Sequence, residues 1–128
     1  MDRKELREDY VDLGKKVLIG LDESNFKVTS AFWFLLTDSG WRFVIATPVL
    51  DEDGPTKAYQ ALQTKLTTIL GTDSPFINNV SIVSPSHPLI KLLKLAINTG
   101  ADSVSGIRFT GNVVNNQYIE DAFIYRIS

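Results

Sequence analysis

Several side chains able to bind a ligand lie close together near the end of the chain. Residues 105–127 alternate like two β-strands, and the Asn115-Asn116 dipeptide between them tolerates the positive φ angles of a type I′ turn. This hairpin places Thr110 opposite Asp121, with Arg108 on the diagonal and within reach of the same carboxylate. The candidate ligand-binding residues on this polar face are Arg108, Thr110, Asn112, Asp121 and Tyr125.

The polar face of the hairpin could serve two purposes. Arg108 could receive a carboxylate or phosphate group of a ligand, with Asp121 or Glu120 as the acid or base of a small hydrolase. Alternatively, Arg108 and Asp121 form an ion pair that holds the hairpin together, which contributes about 1 kcal/mol or less when exposed. The polar residues have Ile119 and Phe123 as neighbours, and the expected apolar face consists of Ile107, Phe109, Val113, Ala122 and Ile124.

Two other polar segments have simpler structural interpretations. Residues 51–53, Asp-Glu-Asp, offer oxygen ligands for Mg²⁺ or Ca²⁺, but they precede a predicted helix, whose N-terminal amides and dipole are stabilised by negative charge. His87 could act as a base toward Ser84 or Ser86, but sequence neighbours at a helix start rarely adopt the geometry of an activated serine. We expect Ser86 to be the N-cap of that helix, and we predict no metal site and no cofactor.

Composition argues against several functional classes. The chain has 128 residues, no cysteine, one histidine and a formal charge of −2. It therefore has no disulfide or multi-histidine metal site, and it lacks the clustered positive charge of nucleic-acid-binding proteins. The longest apolar run, residues 31–36, is shorter than the ~20 residues that span a bilayer, and the charged first residues do not resemble a secretory signal. We expect a cytoplasmic protein that binds neither nucleic acid nor membrane.

The first element predicted from the pattern is an amphipathic helix. It starts at Asp2 and Glu5, which have capping-box spacing, and it ends between Gly20 and Asn25. Gly14 lies in its middle, where glycine costs about 1 kcal/mol relative to alanine, and so indicates a close packing contact.

The remaining pattern predicts a single α+β domain over residues 1–128. A hairpin of residues 26–36 and 41–49 precedes a second helix that ends at Gly71, a strand at 76–83 and a third helix at 89–99. With the C-terminal hairpin, the order is α-β-β-α-β-α-β-β: three helices and a mixed, mainly antiparallel five-stranded sheet. The strand, helix, strand unit of residues 76–109 predicts that the third and fourth strands run parallel.

The first hairpin is apolar on both faces. Phe32 and Phe34 alternate with Trp33 and Leu35, so both sides of this strand require burial. Either the N-terminal helix covers Trp33 and Leu35, or these two residues form a surface for a partner.

Three blocks of the sequence resemble segments of other proteins. Residues 41–48 (WRFVIATP), 106–112 (GIRFTGN) and 118–125 (YIEDAFIY) resemble segments of small bacterial proteins of unknown function. The resemblance covers most of the chain from the first hairpin onward, and it implies no activity, cofactor or catalytic residue.

These observations favour binding over catalysis. We expect a small soluble interaction module that engages a protein partner or forms a homo-oligomer, because the first hairpin is apolar on both faces and no catalytic constellation is present. The alternative is the small hydrolase described above. An inhibitor or immunity partner of a toxic enzyme would also fit the size and mild acidity of the chain.

Overall fold

The computed structural model describes residues 6–36, 40–71 and 79–128. It contains three helices and five strands in the predicted order, so the α+β class is confirmed. Asp2 and Glu5, the predicted start of the first helix, and residues 76–78 of the predicted third strand lie outside the described residues. The elements are α1 (Glu8–Glu23), β1 (Ser30–Leu36), β2 (Gly40–Ala46), α2 (Val49–Leu70), β3 (Val80–Val83), α3 (Pro88–Lys94), β4 (Ile107–Val114) and β5 (Gln117–Ile127).

The five strands form one sheet in the order β3-β2-β1-β5-β4. The single parallel pair is β2 with β3, and all other neighbours are antiparallel. The prediction that β3 and β4 run parallel is wrong, because these strands lie at opposite edges of the sheet and point in opposite directions. The long crossover that a parallel pair requires is supplied instead by α2, between β2 and β3.

One face of the sheet is covered by α1 and α2. Their inward residues, among them Val17, Leu18, Leu62 and Leu66, pack on the side of the sheet that carries Trp33. Removal of this apolar area from water is the main favourable contribution to the fold.

Close approach of α1 to the sheet depends on Gly14. A Cβ atom at this position would lie 2.5 Å from Tyr125 Oη and 2.9 Å from Trp33 Nε1, which no real side chain tolerates. Trp33 Nε1 donates to the carbonyl of Tyr10 at 3.2 Å, and the Tyr10 and Trp33 rings stack with centroids 5.4 Å apart. The packing contact that Gly14 indicates is therefore present.

The helix α1 covers Trp33, so one of the two alternatives for the first hairpin is realised. Trp33 is fully buried and Leu35 is also buried. The expectation of a partner surface at Trp33 and Leu35 therefore loses its basis, because the chain provides its own cover for both side chains.

The opposite face of the sheet is packed against the short helix α3. Ile90 and Leu93 of α3 pack there against Phe32, Val44 and residues of the C-terminal hairpin. The predicted third helix is too long, because α3 ends at Lys94 rather than at Thr99. Thr99 instead pairs with the end of β5: its N–H donates to the carbonyl of Ile127 at 2.7 Å.

A second difference from the predicted elements lies in α2. This helix begins at Val49. A kink at Gly54, which has a φ of 84°, and Pro55 interrupts it after its first turn. The acidic triplet at 51–53 lies in the short segment before this kink, and it therefore directly precedes the longer helical segment that begins at Pro55, as predicted. Its negative charge complements the helix dipole. At the start of α2, the Val49 N–H donates a hydrogen bond to Thr47 Oγ1 at 3.2 Å.

Candidate functional site

The C-terminal hairpin has the register predicted from its turn. Asn115 and Asn116 have φ angles of 52° and 68°, and Thr110 lies opposite Asp121. The carboxylate of Asp121 accepts two hydrogen bonds from Arg108, from Nε at 2.7 Å and from Nη2 at 2.6 Å, and a third from Thr110 Oγ1 at 2.9 Å. Three of the five predicted site residues are thus brought together.

The ion pair is asymmetric in its exposure. The side chain of Asp121 is 10% exposed and that of Arg108 is 47% exposed, with its guanidinium carbon 5.8 Å from the centre of the Trp41 ring. Burial pushes the pKa of Asp121 upward, but the hydrogen bonds from Arg108 and Thr110 outweigh it and hold the pKa below its usual range. A carboxylate with a lowered pKa stays ionised at neutral pH, so Asp121 is poorly suited to general acid catalysis.

Asn112 and Tyr125 do not join this cluster. Asn112 is exposed and its side chain donates to the carbonyl of Thr110, while its cross-strand partner Ile119 packs on the α3 side of the sheet. The placement of Ile119 on the polar face is therefore wrong. Gly111, with a φ of 61°, interrupts the alternation of β4 at this level, so side chains beyond it change faces.

Tyr125 is part of the core rather than of a ligand site. It is buried, and its hydroxyl donates to the carbonyl of Val11 in α1. Burial raises the pKa of this phenol above its ordinary value. Together with Gly14, this hydroxyl ties α1 to β5, so its hydrogen bond is made to α1 and not to the polar cluster.

The serine and histidine segment before α3 is used structurally. His87 Nδ1 accepts the N–H of Leu89 at 3.0 Å, so His87, and not Ser86 as predicted, is the N-cap. Ser84 Oγ donates to Asp51 Oδ2 at 2.9 Å and lies 3.0 Å from Ser86 Oγ. The imidazole is thus engaged with a backbone amide rather than with either hydroxyl.

Two features are absent from the part of the chain that the structure describes. Within residues 6–36, 40–71 and 79–128, no three side chains of His, Cys, Asp or Glu are grouped so that they could hold a metal ion. In the same ranges, no helix has the length and apolar character needed to cross a membrane.

A feature that the sequence pattern did not reveal is an apolar groove between α3 and the turn of the C-terminal hairpin. Its volume is about 610 Å³. Leu95, just past the end of α3, is 66% exposed there, although Leu92 of the same helix is half-buried. The described residues that line the groove are Pro88, Leu89, Lys91, Leu92, Leu95, Asn115 and Gln117.

A sequence signal for this groove exists in retrospect. The helix has two apolar stripes: Ile90 and Leu93 face the sheet, whereas Leu89, Leu92 and Leu95 follow one another at intervals of three residues on another side. Because a wide apolar surface is typical of a buried helix, this pattern by itself indicates burial rather than an open groove. The sheet buries only the first stripe completely.

The fold and these sites define the class of protein only broadly, as an α+β domain whose mixed sheet carries helices on both faces. No protein-family model, curated protein or solved structure matches the chain.

Proposed function

We propose that this protein is a small binding module that takes up a segment of a partner protein in the groove between α3 and the C-terminal hairpin. The observation that carries the proposal is the open apolar groove itself, in which Leu95 is two-thirds exposed. Exposure of a leucine in a concave apolar surface costs free energy that a partner would recover by covering it.

The polar residues of the chain give less support to catalysis. Asp121 is held ionised by Arg108 and Thr110, and His87 caps α3. Ser84 donates a hydrogen bond to the Asp51 carboxylate rather than to His87, the base proposed for its activation. The groove, by contrast, combines aliphatic side chains with two amide side chains and one lysine, and a mainly apolar surface with a few polar groups is typical of a binding pocket.

Site-specific photo-crosslinking tests the proposal. A photoreactive amino acid replaces Gln117, which lines the groove, and in a matched variant it replaces Tyr59, which is exposed on α2 at the other face of the sheet. We expect a discrete protein adduct from position 117 and none from position 59. The crosslinked segment, prepared as a peptide, should bind the purified protein, and Leu95→Glu should weaken that binding at least tenfold.

Two results would contradict the proposal. Equal crosslinking from positions 117 and 59, or a peptide affinity that Leu95→Glu leaves unchanged, would show that the groove is not the binding surface. Light scattering on the purified protein addresses self-association: a dimer that Leu95→Glu dissociates would assign the groove to a second copy instead of a partner. Circular dichroism of each variant verifies that the fold is intact.

A further inference from the structure

The electrostatic character of the groove differs from that of the whole chain. The chain carries a formal charge of −2, but the charged residue among the described groove residues is the cation Lys91, and Lys94 lies on the same short helix. The sequence of α3 contains no acidic residue, and residues 112–119 of the facing hairpin contain no charged residue at all. The rim of the groove is therefore locally positive.

We propose that the occupant of the groove is an amphipathic segment whose apolar side chains enter it and whose flanking carboxylates pair with Lys91. This inference rests on the proposed function and adds the chemistry of the partner. Helix-in-groove recognition lays the apolar face of a partner helix into a hydrophobic groove, and Leu89, Leu92 and Leu95 supply the apolar lining of this groove. The charge on the rim selects among segments that have equal apolar content.

The shape of the site favours a protein segment over a lipid surface. Asn115 and Gln117 of the hairpin line the groove together with residues of α3 and Leu95, and its volume is about 610 Å³. A bilayer surface is better matched by a protruding apolar ridge with many cations around it. Among the described residues of the groove and of α3, the positive charges are those of Lys91 and Lys94, which suit one or two carboxylates.

Two fluorescein-labelled peptides test the inference by fluorescence anisotropy. Both are twelve-residue amphipathic helices with leucines at identical positions, and their flanking residues are glutamate in one and lysine in the other. We expect the acidic peptide to bind the wild-type protein at least tenfold more tightly in low salt. The preference should shrink as salt is raised from about 50 to 300 mM, because screening weakens exposed charge pairs.

Charge-reversal variants assign the preference to one residue. Lys91→Glu should reverse the preference in favour of the basic peptide, and Lys91→Gln should abolish it. Lys15→Glu, on the exposed side of α1, changes the net charge equally and should leave the preference intact. Circular dichroism verifies that each variant is folded.

The outcomes separate this inference from the proposed function. If the segment crosslinked at position 117 binds the groove but the two peptides bind equally, or the basic peptide binds more tightly, the proposed acidic chemistry is overturned and the docking function stands. If neither peptide binds and no adduct forms at position 117, both proposals are overturned. Binding to vesicles of anionic lipid that Leu95→Glu removes would assign the patch to a membrane surface and overturn both.

Discussion

The Arg108 and Asp121 pair can be tested by a double-mutant cycle. Arg108→Met removes two charge-assisted hydrogen bonds from the carboxylate of Asp121 and leaves this carboxylate, which is only 10% exposed, without its counter-charge. Such bonds contribute about 1.5–3 kcal/mol when buried, but Arg108 is half-exposed, so we expect a loss of about 1–2 kcal/mol. Asp121→Leu leaves a guanidinium that water can reach, and we expect a loss of about 1 kcal/mol.

The double variant should lose less stability than the two single variants together. Replacement of both charged partners by apolar side chains leaves no stranded charge, so the expected coupling energy is about 1 kcal/mol. For a chain of 128 residues this corresponds to about 4 °C in Tm, which thermal unfolding followed by circular dichroism resolves.

The coupling should depend on pH in a definite direction. The pKa of Asp121 is lower in the folded protein than its usual value. Its stabilising contribution is therefore fully present above the unfolded-state pKa of about 3.9 and is lost as the pH falls through the lower, folded-state pKa. We expect the coupling at pH 7 to disappear in strong acid.

A matched control is the Arg7 and Asp9 pair. It has a similar nitrogen to oxygen distance of 2.8 Å, but both side chains are more than half exposed, so the same cycle should show no measurable coupling. Two results would refute a structural role for the Arg108 and Asp121 pair: additive effects of the two single variants at pH 7, or a coupling energy that grows on acidification. Either result would strengthen the ligand-binding alternative.

Four further variants test the contacts that hold α1 and the end of β5 in place. Gly14→Ala should destabilise the protein by about 1 kcal/mol or more in urea unfolding, because overpacking against Trp33 and Tyr125 outweighs the helix-propensity gain of about 1 kcal/mol. Tyr125→Phe should reduce alkaline sensitivity: since the folded-state pKa of Tyr125 is raised, its contribution is complete below pH about 10 and declines as the pH rises above it. Arg126→Met should cost about 3 kcal/mol or more, because Arg126 is 1% exposed and donates to Asp22 and two carbonyls. Asp22→Asn should cost a similar amount, because it leaves the buried guanidinium of Arg126 without its counter-charge.

Each of these variants has a contradicting outcome. Lys15→Ala, in the exposed part of α1, is the control for the glycine, and equal stability changes at positions 14 and 15 would disprove the packing contact. Identical pH profiles of wild type and Tyr125→Phe between pH 9 and 12 would argue against a buried phenol. An Arg126 variant as stable as wild type would show that its hydrogen bonds are replaced by water.

Local features of this protein could be predicted from the sequence with good accuracy. The two asparagines at 115 and 116 specified the turn, and the turn specified which residues of β4 and β5 face each other. Gly14 indicated the close approach of α1. These predictions succeeded because turn geometry and the steric demand of a missing side chain act over a few residues.

Features that depend on distant parts of the chain were predicted less well. The position of β3 beside β2 and the hydrogen bond of Tyr125 to α1 depend on how the helices pack on the sheet. The change of faces beyond Gly111 could not be inferred from strict alternation, because alternation assumes a regular strand.

By itself, the sequence determined the class of the fold, the order of its elements and the hairpin register that brings Arg108 to Asp121. Only the tertiary structure decided that α1 covers Trp33 and that a groove remains open beside α3. The reason is that sequence periodicity identifies which side chains are apolar, whereas burial depends on which surfaces of the chain meet. In this chain α3 has two apolar stripes, and the sheet fully covers only one of them.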